Sequence, residues 1–429
     1  MELAIFFITF VVFFLLGMPI AASMISSSFL YCFIVGIDLT FLGAQMFSGL
    51  NTFVLIAIPL FILTAEVMDR TSVSQRIFDF SNALVGYIPG GFAHVNITNS
   101  VIFAGMSGSA LADAGGIGHL EYQNMVDRGF PKEFSACCTI ASSTIGPIIP
   151  PSIPAVVYAM VANVSVGRLL MAGVLPGLGM AAVMMLYVYF VSVRRGYPRM
   201  NWVSWKVYFR GLIYNFIRTF LPMMTPVILL GSIYLGIVTT TEAAGIAVLY
   251  ALILGFFLYR TMNVRQFIDC LKTTFKTSGS VLLLLPAAKV FGVVMTKENM
   301  QAELFSFISS FAGDGKFLVM GSIIVLFLVM GLVNDPNVNI MLFVPMVTPL
   351  ISAAGLDPIH MGLIIIVTAM IGNTTPPSGI VLTTVCSLEK LNIAKVSKAM
   401  IPWFLLLTAF VIFLACFPQF VLFLPNSLM

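Results

Sequence analysis

Charge is what this chain has least of. Asp, Glu, Lys and Arg together make up 9% of its 429 residues, against 59% hydrophobic, where a soluble domain carries about 25% charged residues. That balance excludes a soluble globular protein. The net charge of +4 sits in loops between apolar runs rather than in a patch that could track phosphates, so no nucleic-acid partner is implied. No GxxxxGK[ST] is present to cradle ATP phosphates and no HExxH to hold zinc, and GMSGS at 105–109 lacks the last glycine of a nucleophile elbow. His119-Leu-Glu121 reads as a loop H-x-E without the partner cysteines of a zinc deaminase. The six cysteines, Cys32, Cys137, Cys138, Cys270, Cys386 and Cys416, show no C-x-x-C and no secreted-domain spacing. They imply neither a disulfide framework nor a zinc site and read as small core residues. The ten-residue alternation of an outer-membrane barrel is also missing.

What the chain does have is a series of apolar runs of about the 17 to 25 residues that span a bilayer as helices. The fold class is therefore an all-α polytopic membrane protein. The first run, MELAIFFITFVVFFLLGMPIAASM, has an acidic n-region and is long for a signal peptide, so it reads as a retained first span.

Two of the runs are interrupted by the same motif. GPIIPPSIP at 146–154 and GNTTPPSGI at 372–380 share the frame Gly-x-x-x-Pro-Pro-Ser, 226 residues apart. The motif belongs to a longer self-similarity. LGMPIAASMISSSFLYCFIVG from Leu16 matches LGIVTTTEAAGIAVLYALILG from Leu235 at an offset of 219, and beyond it Pro59 pairs with Pro286 and Met68 with Met295 at 227. An amphipathic stripe, Val73, Ile77, Phe80 and Leu84, recurs as Met300, Leu304, Phe307 and Phe311. The halves are 1–196 and 211–425, joined by a linker at 197–210.

Basic residues set the orientation. The stretch RRGYPRMNWVSWKVYFR at 194–210 holds five basic residues and no acidic one, which makes the linker cytoplasmic. Spans at about 213–237, 241–259 and 277–296 then lead out to the second amphipathic stretch, and 17 of the 21 basic residues fall inside. Equivalent elements face opposite sides, the inverted-topology repeat of many secondary transporters. The path closes only if two segments turn back within the membrane, so re-entrant hairpins are expected at about 91–118 and 329–354. Their tips fall near Ser107 and Asn334.

Prolines 150/151 and 376/377 cannot continue a helical hydrogen-bond ladder, so broken helices are expected at about 134–160 and 359–386. Freed carbonyls and hydroxyls suit a dehydrated small cation, and half-helix N-termini suit an anion. The cation candidates are Ser107, Ser109, Ser143, Thr144 and the Gly146 carbonyl in the first half, with Asn334, Gly372, Thr374 and Thr375 in the second. Ser142 and Asn339 lie beside them. All are hard, mostly neutral ligands, the chemistry of sodium rather than of a transition metal. Ser152, Asn337, Asn373 and Ser378 are the candidates for the substrate. Asp113 and Asp335 in the hairpins, Glu66 and Lys289 in equivalent spans, and Glu242 in TTTEAAG are functional candidates as ionisable groups at membrane depth. The alternatives are a structural Glu66–Lys289 pair and an interfacial Glu242. A remote catalytic reading, an intramembrane aspartyl hydrolase, would have Asp113 and Asp335 share a proton. A channel would need a continuous polar path, whereas the polar residues form two discrete clusters.

The order FAGMSGSALADAGGIG, STIGPIIPPSIP, TEAAG, GLVNDPNVN, GNTTPPSG closely resembles the large membrane subunit of tripartite ATP-independent periplasmic (TRAP) transporters over essentially the full chain. The resemblance implies an elevator mechanism, in which a transport domain of hairpins and broken helices moves against a scaffold, driven by two or more sodium ions and no organic cofactor. It implies residence in the bacterial inner membrane. It also implies two partners, a small four-helix membrane subunit, expected as a separate chain, and a periplasmic substrate-binding protein. The substrate class would be an organic acid, sialic acid before C4-dicarboxylates. A binding-protein-independent symporter is the alternative.

Overall fold

The computed structural model describes residues 2–71, 73–300, 303, 315–376 and 378–428. Its regular structure among these is helical throughout. Among the described residues six helices are long and apolar enough to cross a membrane, or seven if one bent pair counts as a span.

The first half opens with α1 (Glu2–Leu15) and α2 (Ile20–Val35). Asp38 caps the next helix, α3 (Leu39–Leu50), by accepting from the Thr40 amide at 2.9 Å, and that hydrogen bond holds its carboxyl below the usual carboxylate range. α3 and α4 (Ala57–Arg70) meet at a 58° bend. The amphipathic α5 (Val73–Val85) follows, with Val73, Ile77 and Phe80 buried and Leu84 38% exposed. The second copy of that stripe, from Met300 to Phe311, runs almost wholly outside the described residues.

A helical hairpin is built from α6 (Gly91–Ser107) and a jointed return arm, α7 (Ala110–Gly115) and α8 (Ile117–Asp127). The first interrupted span comprises α9 (Lys132–Ser143) and α10 (Ile153–Val161), and α11 (Val166–Arg195) closes the half. Ser165 caps α11, and Arg194 and Arg195 lie in its last turn before left-handed Gly196, the polarity that the helix dipole favours.

The linker is pinned by aromatics. Trp202 and Tyr208 stack at 5.6 Å, and Tyr87 meets both edge-on, the cluster expected at a membrane–water boundary. The Met200 amide also donates to the Gly86 carbonyl at 2.9 Å.

The second half has α12 (Trp205–Tyr234), α13 (Thr240–Leu252, continued as a π-helix over Ile253–Leu258) and α14 (Val264–Lys297). The expected span at 277–296 is thus only the end of a 34-residue helix. Asn263 and Gln266 form a capping box at its start, so Arg265, Lys272 and Lys276 lie on helical turns rather than in a loop. At about 1.5 Å per residue α14 is about 50 Å long, enough to leave a bilayer core of about 30 Å with its basic turns in water. The second hairpin comprises α15 (Lys316–Gly331) and α16 (Pro336–Ala353), the second interrupted span α17 (Pro358–Thr374) and α18 (Ile380–Leu388), and α19 (Ile393–Cys416) and α20 (Pro418–Leu428) end the chain. The expected hairpin from 329 omitted the incoming arm, because 316–331 is apolar enough to read as an ordinary span.

Packing between the halves is reciprocal. α4 packs on α13 while α14 packs on α2; α10 packs on α16 while α18 packs on α7; α9 packs on α19 while α17 packs on α11. Within each half the incoming hairpin arm lies on the first helix of the interrupted span, α6 on α9 and α15 on α17. The α15–α17 crossing is backbone to backbone, since a Cβ on Gly331 or Gly372 would come within 2.7 Å of the other's Cα.

Candidate functional site

Both hairpin tips and both helix breaks meet at one small cavity. Gly108, Ser109, Pro147, Ile153, Asp335, Asn337 and Asn373 are among its lining residues, and it measures about 40 Å³. That is room for a water or an ion; drug-sized ligand pockets run to about 300 Å³ and beyond.

Each tip is held against a break. Gly108 turns the first tip at φ +62°, and a Cβ there would stand 2.4 Å from the Pro151 carbonyl oxygen, so no side chain fits. A Cβ on Gly146 would meet the Ser109 carbonyl oxygen at 3.4 Å. On the second tip, the Ser378 hydroxyl donates to the Leu332 carbonyl at 2.6 Å.

The hydroxyls at the breaks bond their own helices. Ser143 donates to the Ile140 carbonyl at 2.9 Å and Thr144 to Ala141 at 2.6 Å; Thr374 and Thr375 both donate to Ile371, at 2.8 and 2.6 Å. A hydroxyl that donates keeps its lone pairs, so these oxygens retain acceptor capacity. The half-helix N-termini are already capped. Ser152 donates to the Pro147 carbonyl and accepts from the Ala155 amide at 3.1 Å, and Asn373 Oδ1 accepts from the Ile380 amide at 3.1 Å. Each cap serves one of about four free N–H groups.

The tips differ in kind, because several of their polar atoms have nothing to bond. Ser107 Oγ, Asn334 Oδ1, Asn337 Oδ1 and both polar atoms of the Asn339 side chain are buried without a hydrogen-bond partner. Ser109 accepts from the Ala112 amide at 3.4 Å, and Asp335 Oδ1 takes both the Asn337 amide and Asn337 Nδ2 at 2.9 Å. Four of the five orphaned atoms are oxygens, a donor set that fits a hard cation.

Three expectations about ionisable groups are corrected. Glu66 and Lys289 do not pair, since the ion pairs among the described residues are His119–Glu389 and Lys272–Asp269. Lys289 instead lines a separate cavity of about 600 Å³ together with Gly49, Thr52, Thr296 and Lys297. Glu242 forms the capping box of α13, accepting from the Thr239 amide at 2.7 Å. Asp113 does not share a hydrogen bond with Asp335, since neither of its carboxyl oxygens has a partner and Asp335 Oδ1 is taken by Asn337. His119 and Glu121 are not in a loop but on α8, where His119 Nδ1 meets Glu389 Oε1 at 2.5 Å and Gln123 Nε2 donates to Glu389 Oε2 at 2.8 Å. Of the cysteines five are buried and Cys416 is exposed.

The residues missed from the sequence lie inside the first hairpin. Asn96 Nδ2 donates to Thr139 at 2.9 Å and its Oδ1 accepts from Ser142 at 2.6 Å, and Asn99 Nδ2 donates to Glu121 at 2.7 Å. The run HVNITNS at 94–100 was the available signal, five polar side chains where a hairpin arm needs apolar ones.

Residues 7–420 match the family described as tripartite ATP-independent periplasmic transporter, DctM component. The chain is 37% identical over 411 residues to the sialic acid TRAP transporter large permease protein SiaM of Vibrio cholerae, covering 96% of this chain and 95% of that one. It is 32% identical to the C4-dicarboxylate TRAP transporter large permease protein DctM of Pseudomonas aeruginosa, covering 90% of each. Among solved structures, the YdaH transporter of Alcanivorax borkumensis superimposes with a TM-score of 0.57 over 89% of both chains at 14% identity, a likeness of fold alone.

Proposed function

This chain belongs to the DctM family of tripartite ATP-independent periplasmic transporters, a multi-pass protein of the bacterial inner membrane, and from that premise we propose that it drives sodium-coupled uptake of an organic acid anion. The observation that carries the reading is the meeting of both hairpin tips and both helix breaks at one cavity. Sodium is proposed as the coupling ion because four of the five orphaned atoms on the hairpin tips are neutral hard oxygens, with Asn337 among the residues that line the cavity. Ser107, Asn334 and Asn337 would hold it, with the Gly146 and Gly372 carbonyls and the hydroxyls of Ser109, Ser143, Thr144, Thr374 and Thr375 alongside. The uncapped amides at the starts of α10 and α18, beside Ser152 and Ser378, would face the carboxylate.

The reciprocal packing of the halves supports an inverted-topology repeat. In that arrangement α6 to α10 and α15 to α18 form the domain that moves, and α2, α4, α13 and α14 belong to the scaffold. A cavity of about 40 Å³ is too small for the acid, so in this conformation the domain is closed around ions at most. Sialic acid is the favoured substrate on the strength of the SiaM likeness, with C4-dicarboxylates next. The partners proposed are a small membrane subunit and a periplasmic binding protein.

The test is reconstitution of the chain with its small subunit in vesicles under a sodium gradient. Uptake of labelled acid should be small until the cognate binding protein is added, and should vanish when the gradient is collapsed. Full-rate uptake of free acid without any binding protein would overturn the tripartite reading and leave an ordinary symporter.

A further inference from the structure

The interior of the first hairpin is short of hydrogen. Glu121, 2% exposed, accepts at Oε1 from Asn99 Nδ2 at 2.7 Å across the hairpin. Its Oε2 has no partner, nor has Asn99 Oδ1, on a side chain with no exposure at all. Asp113, 1% exposed, has neither oxygen in a hydrogen bond of normal geometry, although Ser100 on α6 approaches it. Every orphaned atom in this group is an acceptor, and the one amide donor is already spent on Oε1.

The surroundings bring no compensating cation. α8 packs against α6, α7 and α9. α6 contributes His94, whose ring nitrogens are buried without a side-chain partner, α7 contributes Asp113, and α9 contributes Cys138 and, at its start, Lys132 and Glu133. Asp69 on α4 comes close to Gly116 at the joint, and Glu389, just after α18, is taken by His119 and Gln123. Lys132 is on no ion pair with Glu121 or Asp113 among the described residues.

The fold itself does not ask for these groups. At 227 residues further on, Asn99, Ser100, Asp113 and Glu121 become Leu326, Phe327, Ile340 and Thr348, and Phe327 and Ile340 are fully buried in the second hairpin. The second hairpin thus has no carboxyl at any of these four positions, where the first has two that are uncompensated.

We propose that Glu121 is a proton-binding site within the moving domain, and that the domain crosses only with this proton bound. A buried carboxyl set against a second carboxylate, with an amide oxygen as a further acceptor, is relieved by taking up hydrogen. The proton cancels one charge and turns one orphaned acceptor into a donor. Without it the domain would carry an extra bare charge through the low-dielectric layer. This rests on the transport reading above only for its second part.

Infrared spectroscopy of the purified protein at neutral pH tests the first part without any transport. The expected result is a carbonyl band of a protonated carboxylic acid that shifts in deuterated buffer and is missing from Glu121→Gln. A wild-type spectrum with no such band, a band that survives in Glu121→Gln, or a band that disappears when sodium is added, overturns the proposal, the last in favour of a sodium site. Uptake under a fixed sodium gradient tests the second part. Wild-type uptake should fall about tenfold for each pH unit once the proton is lost, while Glu121→Gln should transport with a flat profile. A wild-type profile as flat as the variant's overturns the coupling. If uptake is absent under every condition, the transport reading fails by itself and the infrared result still decides the proton.

Discussion

The two halves of the chain carry corresponding helices with different local detail. In the first, the helix pair α3–α4 bends by 58° and the return arm of the hairpin is jointed between α7 and α8. In the second, the equivalent stretches are the unbroken α14 and α16. The first hairpin encloses Asn96, Asn99, Asp113 and Glu121, whereas the second encloses Ile323, Phe327 and Ile340, with Asn339 as its buried amide. Glycines follow the same division. Gly372 is pressed against the Gly331 backbone, but its counterpart Gly146 has contacts of 3.3 to 3.5 Å at the position of a Cβ. Both hairpins bury polar side chains, but the two buried carboxyls without compensation, Asp113 and Glu121, are in the first.

The largest effect would break the comparison outright. If the halves are inverted copies, the turns after α8 and after α16 lie on opposite sides of the membrane. In a chain whose exposed Cys416 has been replaced, a cysteine at Ser352 should react with an impermeant reagent added outside, and one at Asp127 should not. Labelling of both from the same side would end the inverted-repeat reading.

Glycine substitution comes next. Gly372→Ala puts a methyl within 2.7 Å of the Gly331 Cα and 2.8 Å of the Leu328 carbonyl oxygen, and overpacking against backbone costs about 3 kcal/mol or more. Gly146→Ala should cost less than about 1.5 kcal/mol, since its neighbours need to yield only a few tenths of an ångström. Thermal unfolding in detergent measures both, and equal losses would mean that the halves are packed alike.

A smaller effect separates the tips from the breaks. Ser107 has no hydrogen-bond partner within the protein, so Ser107→Ala should leave the unfolding temperature nearly unchanged while weakening sodium dependence about tenfold, the equivalent of about 1.4 kcal/mol. Thr375 bonds Ile371, so Thr375→Ala should move both. Unchanged sodium titration in the two variants would make the hydroxyls structural.

The smallest change concerns the bridge between the halves. Glu389→Gln weakens the contact with His119 but keeps that with Gln123, and the expected loss is about 1 kcal/mol. A loss several times larger would mean that this contact carries the union of the halves.

How much of this could be read from the sequence depended on whether its cause was local. The proline pairs and the small residues around Ser107 and Asn334 act on their own backbone, and the chain turns or breaks at each of them. The unbroken α14 was hidden because Arg265, Lys272 and Lys276 resemble a loop when burial is unknown. Glu121 was hidden because its partner Asn99 lies 22 residues away on another helix, and only the return of the hairpin brings them together. The Glu66–Lys289 alternative failed for the converse reason: equal position in two repeats does not place two side chains face to face.

The glycine crossing of α15 and α17 also constrains how this protein can vary. Every codon for glycine becomes, by any one-base missense change, a codon for a residue with a Cβ. At Gly331 and Gly372 there is consequently no single genetic step that changes the residue and leaves the crossing its separation. Drift elsewhere in the two helices can swap one apolar side chain for another, but this point of contact is inherited unchanged or the helices are spread apart.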